Sequence, residues 1–107
     1  MLGMSLDMKF LALEHDLPGS SAGGQANASL LKDEAQCAWE LYQAGVIREL
    51  YFRADRHAAV LVLECANIEE AREALSTLPL VREKMIEFEL IPLRPYPGFA
   101  RLFTTAA

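Results

Sequence analysis

The sequence predicts an α+β fold in which two βαβ halves share one four-stranded antiparallel sheet. The chain has 107 residues, close to the commonest length of a single domain. Its apolar residues follow strand-like and helix-like spacings in the order βαββαβ. Residues that cap helices or break regular structure stand between these segments. We therefore expect residues 1–107 to form one domain.

The first strand is predicted at residues 8–14, a short apolar run, and residues 1–7 are expected to be an N-terminal extension. Residues 19–28 are mainly small and polar and hold almost nothing to bury, so we expect a flexible loop. A helix is predicted after the loop, from about Ser29 to Ala44. Its apolar residues recur at helical spacing on one stripe, which comprises Leu31, Ala35, Ala38 and Tyr42.

Gly45 marks the end of this helix, at the position of a left-handed C-terminal cap. Two strands follow at residues 46–54 and 58–64, where β-branched and aromatic residues are dense. The polar residues 55–57 between them predict a turn, so the two strands should form a hairpin. The second of these strands is the most apolar in the chain, which predicts a central place in the sheet.

Asn67 is predicted to cap the second helix, and Glu70 three residues later completes a capping box. Pro79 is expected to end this helix. The last strand is predicted at residues 86–93. Because Pro92 has no amide to donate, this strand should lie at an edge of the sheet.

The composition argues against two kinds of partner. The net charge is −5, and the few Lys and Arg residues are scattered, so we expect no nucleic-acid partner. No apolar run approaches the ~20 residues that span a bilayer, so we expect no membrane partner. The N-terminus does not resemble a signal peptide, because Asp7 and Lys9 interrupt it before any apolar core forms. We therefore expect a cytoplasmic protein.

The commonest solution for a βαββαβ order is the ferredoxin-like sandwich, with sheet order 4-1-3-2 and both helices on one face. We further expect strands 1 and 3 to run parallel, with strands 2 and 4 against them. The other sheet face then stays apolar and uncovered, which predicts a homodimer or higher homo-oligomer. The tail, residues 94–107, is also rich in apolar residues, and we expect it to pack on a neighbouring subunit.

These strand directions would place two groups of polar residues at opposite edges of the sheet. The first group mixes carboxylates with an imidazole and a guanidinium, and comprises Glu14, His15, Asp16, Arg48, Glu64 and Glu87. The second group is basic and comprises Lys9, Arg53, Arg56, His57 and Arg94. Strand ends also collect polar residues that merely pair with one another, so the first group has a structural as well as a functional interpretation.

Two segments carry a resemblance to a known family. The segment from Leu78 to Pro95 resembles the C-terminal half of muconolactone isomerase: a Leu-Pro-Leu, a short connection, an acidic and apolar strand, and a proline tail. The segment from Glu40 to Tyr51 is similar to the family's helix end, glycine and following strand. Leu17-Pro18 after the first strand also matches, so that the resemblance covers about residues 8–98.

The resemblance implies the dimeric α/β-barrel superfamily, whose members include isomerases and small monooxygenases. By motif position it implies that Arg48 contacts an anion. The first strand departs from the isomerase pattern, because Phe10 and Ala12 stand where the isomerase has polar residues.

A general base beside an arginine that holds an anion suits proton abstraction next to a carbonyl group. We predict His15 as this catalytic base, because the ordinary pKa of histidine, about 6.5, lies near neutral pH. Glu14 and Glu64 are predicted as further catalytic residues. The predicted substrate-binding residues are Arg48, Tyr51 and Tyr96. The cluster lacks the spacing of metal ligands, so we expect no metal and no other cofactor.

The predicted function is that of a small isomerase which transfers a proton within a lactone or a similar small carbonyl compound. Two alternatives stay open at this point. One is a cofactor-independent monooxygenase, and the other is a non-catalytic oligomeric module that binds a small ligand. The predicted fold supports all three, because a fold does not determine a function.

Overall fold

Strands and helices follow one another in the predicted order in the computed structural model of the chain, which describes residues 7–17 and 27–104. The elements are β1 (Met8–Asp16), α1 (Ala28–Gln43), β2 (Ile47–Phe52), β3 (Ala59–Cys65), α2 (Ile68–Ser76), α3 (Pro79–Arg82), β4 (Ile86–Leu93) and a 3-10 turn (Gly98–Leu102). Pro79 starts a short helix of its own, because proline suits the first turn of a helix. The predicted extension at 1–7 and loop at 19–28 fall almost wholly outside the described residues.

The four strands form one sheet in the order β2-β3-β1-β4, which confirms the ferredoxin-like topology. β4 lies at an edge, as Pro92 predicts. Every neighbouring pair is antiparallel, so the expectation that β1 and β3 run parallel is wrong. The crossover through α1 leaves β1 and β2 parallel in direction, and the tight hairpin makes β3 antiparallel to β2. Because β3 lies between β2 and β1 in the sheet, it is antiparallel to both.

The core lies between one face of the sheet and the helices. Alternate residues of β1 and β3 point into it and are buried, since successive side chains of a strand point to opposite faces. Phe10, Leu63 and Leu78 are among its largest fully buried side chains. Burial of each such side chain stabilises the fold by about 1.5–3 kcal/mol.

The remaining residues of the central strands form the other face, which we call the open face. Its middle is apolar and half-buried and comprises Leu11, Leu13, Val60, Val62 and Ile91. Polar residues surround this middle at both ends of the strands. Among the described residues, no helix is long and apolar enough to cross a membrane.

Helix ends follow the predicted capping chemistry. Gly45 has a φ of 83°, and Val46 N donates to Leu41 O at 3.0 Å across it, as in a left-handed cap. At the start of α2, Glu70 N donates to Asn67 Oδ1 at 2.8 Å. The carboxylate of Glu70 in turn accepts from Ala66 N at 2.9 Å, which completes a capping box shifted by one residue.

Candidate active site

A cleft of about 490 Å³ opens between the helix-facing side of the sheet and α1. Its walls are mostly apolar and come from both layers and from the segment after α2, with Leu31, Ala35, Ala38, Leu50, Phe52, Ala59, Leu61, Leu78, Leu80, Ile86 and Phe88 among the lining residues. Four polar residues complete the lining, namely Glu14, Glu34, Tyr51 and His57. The cleft therefore resembles a small-molecule site, in which a few polar groups stand in an apolar surround.

Glu14 reaches the cleft from the sheet. It continues the inward alternation of Phe10 and Ala12 on β1, and its side chain is half-buried. Its Oε1 accepts a hydrogen bond of 2.8 Å from Ala59 N at the start of β3. This bond orients the carboxylate, because the donor belongs to the backbone of a neighbouring strand.

Glu34 reaches the same cleft from α1. Its Oε1 accepts a hydrogen bond of 2.9 Å from Leu80 N in α3. Burial in the apolar cleft raises the pKa of Glu34, and the negative charge of Glu14 raises it further. The Leu80 amide and the positive charge of Arg82 oppose this rise without cancelling it.

Tyr51 and His57 lie on the β2–β3 hairpin side of the cleft. The His57 ring packs against Phe52, with 4.7 Å between ring centroids. The Tyr51 hydroxyl donates to Glu49 Oε1 at 2.9 Å, and this hydrogen bond raises the pKa of Tyr51. Tyr51 is among the residues that line the cleft, although it pairs with Val60, an open-face residue, so that its predicted role in substrate binding stays a prediction.

His15 lies on the other side of the sheet from the cleft. It alternates with Glu14 along β1, so that its exposed ring points to the open face. There its Nε2 lies 3.2 Å from Glu89 Oε1 on β4. The predicted catalytic His15 and Glu14 are adjacent in sequence but are separated by the sheet.

Glu64 and Arg48 lie at the opposite end of the strands from Glu14. Glu64 pairs with Lys9 at the start of β1, whereas Glu14 lies beyond the last β1–β3 pair, Leu13 with Val60. Arg48 Nε is 3.6 Å from Glu64 Oε1. The predicted shared edge for Glu14, His15, Arg48 and Glu64 is therefore wrong, because it depended on parallel strands 1 and 3.

The second predicted edge is divided in the same way. Lys9 pairs with Leu93, so that it and Arg94 stay at the end where Glu64 lies. The hairpin residues Arg53, Arg56 and His57 instead share the end of the sheet with Glu14. The Arg53 guanidinium donates two hydrogen bonds, of 2.8 and 2.6 Å, to the Asp55 carboxylate. Asp16 and Glu87 keep their expected place, beside His15.

Tyr96, the last predicted substrate contact, lies in the tail after β4 and is 65% exposed. It is not among the residues that line the cleft. In the part of the chain that the structure describes, no three His, Cys, Asp or Glu side chains converge as a metal ion requires.

Glu34 and His57 are the polar residues of the cleft that the sequence-based site omits. Glu34 carried a usable signal, because it lies three residues after Leu31 and four before Ala38, inside the apolar stripe of α1. A carboxylate at such a position points toward the core layer. His57 had no comparable signal, since the wrong strand directions placed the hairpin at the far edge.

Comparison with protein families gives a match that follows the chain from the start of β1 to the start of the 3-10 turn. The family described as muconolactone delta-isomerase matches residues 8–98. The match includes all of the sheet, the helices and every residue that lines the cleft. No curated protein matches the chain.

Proposed function

Because the chain belongs to the muconolactone delta-isomerase family, we propose that it is a small isomerase that moves a proton within a lactone or a similar small carbonyl compound. One observation carries the proposal. Two carboxylates, Glu14 and Glu34, line one apolar cleft, and the pKa of Glu34 is raised there. Pairs of acids whose surroundings separate their proton affinities are typical of acid–base catalysis.

In the proposed reaction, Glu14 is the base and Glu34 is the acid. The Glu14 carboxylate removes a proton from the carbon next to the carbonyl group, and the electron pair of that C–H bond moves into the conjugated system. The Glu34 carboxyl then gives its proton to the far carbon of that system, so that the double bond shifts. Proton exchange with water returns both carboxyl groups to their starting states. General acid–base catalysis of this kind contributes about 10²–10⁴-fold to a rate.

The surroundings of the cleft support this assignment. Backbone amides hold each carboxylate, Ala59 N for Glu14 and Leu80 N for Glu34, so both are oriented before a substrate binds. The mostly apolar walls lower the local dielectric constant, which strengthens the electrostatic influence of one carboxyl group on the other. His15, Glu64 and Arg48 stand outside the cleft, so their predicted roles in the reaction have no support from its geometry.

The test is turnover on a panel of unsaturated lactones, with deuterium uptake from heavy water as a second readout. We expect Glu14→Gln and Glu34→Gln each to lower kcat by about 10²-fold or more. His15→Ala is the matched control, since it removes a titratable group from the same strand but from the open face. Equal loss in the control, or full turnover in both glutamine variants, would overturn the assignment. Tight binding of a lactone without turnover would instead support the non-catalytic module.

We also propose that two copies pack their open faces together as a homodimer. The support is the half-buried apolar middle of that face, to which Leu13 and Val62 contribute from the two central strands. Light scattering on dilute samples should give the mass of two chains or more, and Val62→Lys should reduce this mass because it disrupts the contact between open faces. A monomer in the unchanged protein would contradict the dimer.

A further inference from the structure

A second groove lies beside the cleft, along the outer edge of β2. It has a volume of about 540 Å³ and is lined by Ala35, Ala38, Trp39 and Tyr42 of α1 and by Arg48, Glu49, Leu50 and Tyr51 of β2. β2 is an edge strand, and no other strand within residues 7–17 and 27–104 lies beyond it. The rings of Trp39 and Tyr42 stack with centroids 5.9 Å apart, yet 53% of Trp39 is exposed. We call this surface the aromatic groove.

A second exposed surface is the segment after β4, residues 94–104, which we call the arm. Its four large apolar side chains are 65–83% exposed, and they are Tyr96, Phe99, Leu102 and Phe103. The arm nevertheless has a defined local shape. The Tyr96 and Phe99 rings meet edge to face at 5.0 Å, and a Cβ added to Gly98 would collide with the Tyr96 ring. A segment that is ordered before it binds loses less entropy on binding.

The chemistry of the arm fits the aromatic groove. Proline-rich segments bind to grooves lined by aromatic side chains, and the arm carries Pro95 and Pro97 around Tyr96. Charge does not oppose this contact. Residues 94–104 contain two arginines and no acidic residue. The two charged residues of the groove are already engaged, Arg48 with Glu64 and Glu49 with the Tyr51 hydroxyl.

The area available is sufficient for a specific contact. An aromatic side chain buries about 150–250 Å² when it is fully covered. Covering the exposed parts of three aromatic residues on the arm and three on the groove removes on the order of 700 Å². Two arms exchanged around a two-fold axis would double this, which exceeds the ~1,000 Å² of a specific interface.

We propose that the arm of one copy of this chain binds in the aromatic groove of a second copy. The groove and the arm are then two halves of one self-complementary interface, which is distinct from the proposed contact between open faces. The inference does not depend on catalysis.

Trp39 makes a direct test possible, because it is the only tryptophan of the chain. The receiver is the full chain with Tyr96→Ser and Phe99→Ser, which keeps Trp39 but has a defective arm. The donor is the full chain with Trp39→Phe, which has an intact arm and no tryptophan signal. Excess donor should shift the tryptophan emission of the receiver to shorter wavelength and raise the mass seen by light scattering. Circular dichroism confirms that both variants are folded.

The matched control is a donor that carries Trp39→Phe together with Tyr96→Ser and Phe99→Ser, and it should cause no shift. An intact donor that also causes no shift at saturating excess would overturn the proposal. So would a buried tryptophan signal in the unchanged chain that is independent of dilution in a sample of monomeric mass, because the arm would then occupy the groove of its own chain.

Discussion

Glu14 of β1 and Glu34 of α1 face one cleft from opposite walls, and the negative charge of Glu14 helps to raise the pKa of Glu34. Each carboxylate is held by the backbone amide of a different element, Ala59 N in β3 and Leu80 N in α3. The coupling between the two acids therefore depends on how the helical layer sits on the sheet. A proton that enters the cleft is stabilised on Glu34 by burial and by its neighbour together.

Replacement of Glu14 by glutamine should lower the pKa of Glu34, because it removes one of the two influences that raise it. Carbon NMR of the glutamate side chains across a pH titration measures the change. Glu89→Gln on the open face is the control and should leave the Glu34 titration unchanged. No change in Glu14→Gln would show that the two charges do not interact.

Glu34 should also make stability depend on pH. Its pKa is higher in the folded chain than the usual 4.5, so the folded chain binds this proton more tightly. As the pH rises from 4.5 through the folded pKa, the unchanged chain should lose stability relative to Glu34→Gln, which cannot ionise and still accepts from Leu80 N. Urea unfolding of both proteins at several pH values and one protein concentration measures the difference. A difference that is constant with pH would contradict the linkage.

The elements of the fold were predictable because each depends on local chemistry. Gly45 has no Cβ and so predicts the helix end, and Asn67 with Glu70 predicts the next helix start. The site was not predictable to the same degree, because it depends on strand direction. Because β3 runs opposite to its predicted direction, Glu64 lies at the far end of the strands from Glu14, and His57 lies at the same end as Glu14. No local pattern reports that Leu80 N would lie within reach of Glu34.

Gly45 after α1 and Lys84 after α3 both have left-handed backbones, so removing the glycine at the first site and adding one at the second should have opposite effects on stability. Gly45 has a φ of 83° and Lys84 a φ of 60°, a conformation that costs an L-residue about 1–2 kcal/mol. Gly45→Ala should therefore destabilise the chain by about 1 kcal/mol, and Lys84→Gly should stabilise it by up to about the same amount. An added Cβ at Gly45 would lie 3.5 Å from Arg48 Nη1, an ordinary contact, so backbone strain is the cause.

Urea denaturation of these two variants provides the measurement, and Ala44→Gly serves as the control. Ala44 has a φ of −76°, where glycine relieves no strain, so this substitution should not stabilise the chain. If Lys84→Gly and Ala44→Gly changed the free energy of unfolding equally, the left-handed conformation would not explain the effect.

Replacement of Arg48 tests the anion contact that the family resemblance implies for this residue. Its guanidinium pairs with Glu64 at 3.6 Å outside the cleft, and 53% of its side chain is exposed. A pair of this kind contributes at most about 1 kcal/mol. Arg48→Gln should therefore lower the free energy of unfolding by no more than that and leave the KM for a lactone substrate unchanged. A double-mutant cycle with Glu64→Gln isolates the coupling energy of the pair. A large rise in KM with unchanged stability would show instead that Arg48 contacts the substrate.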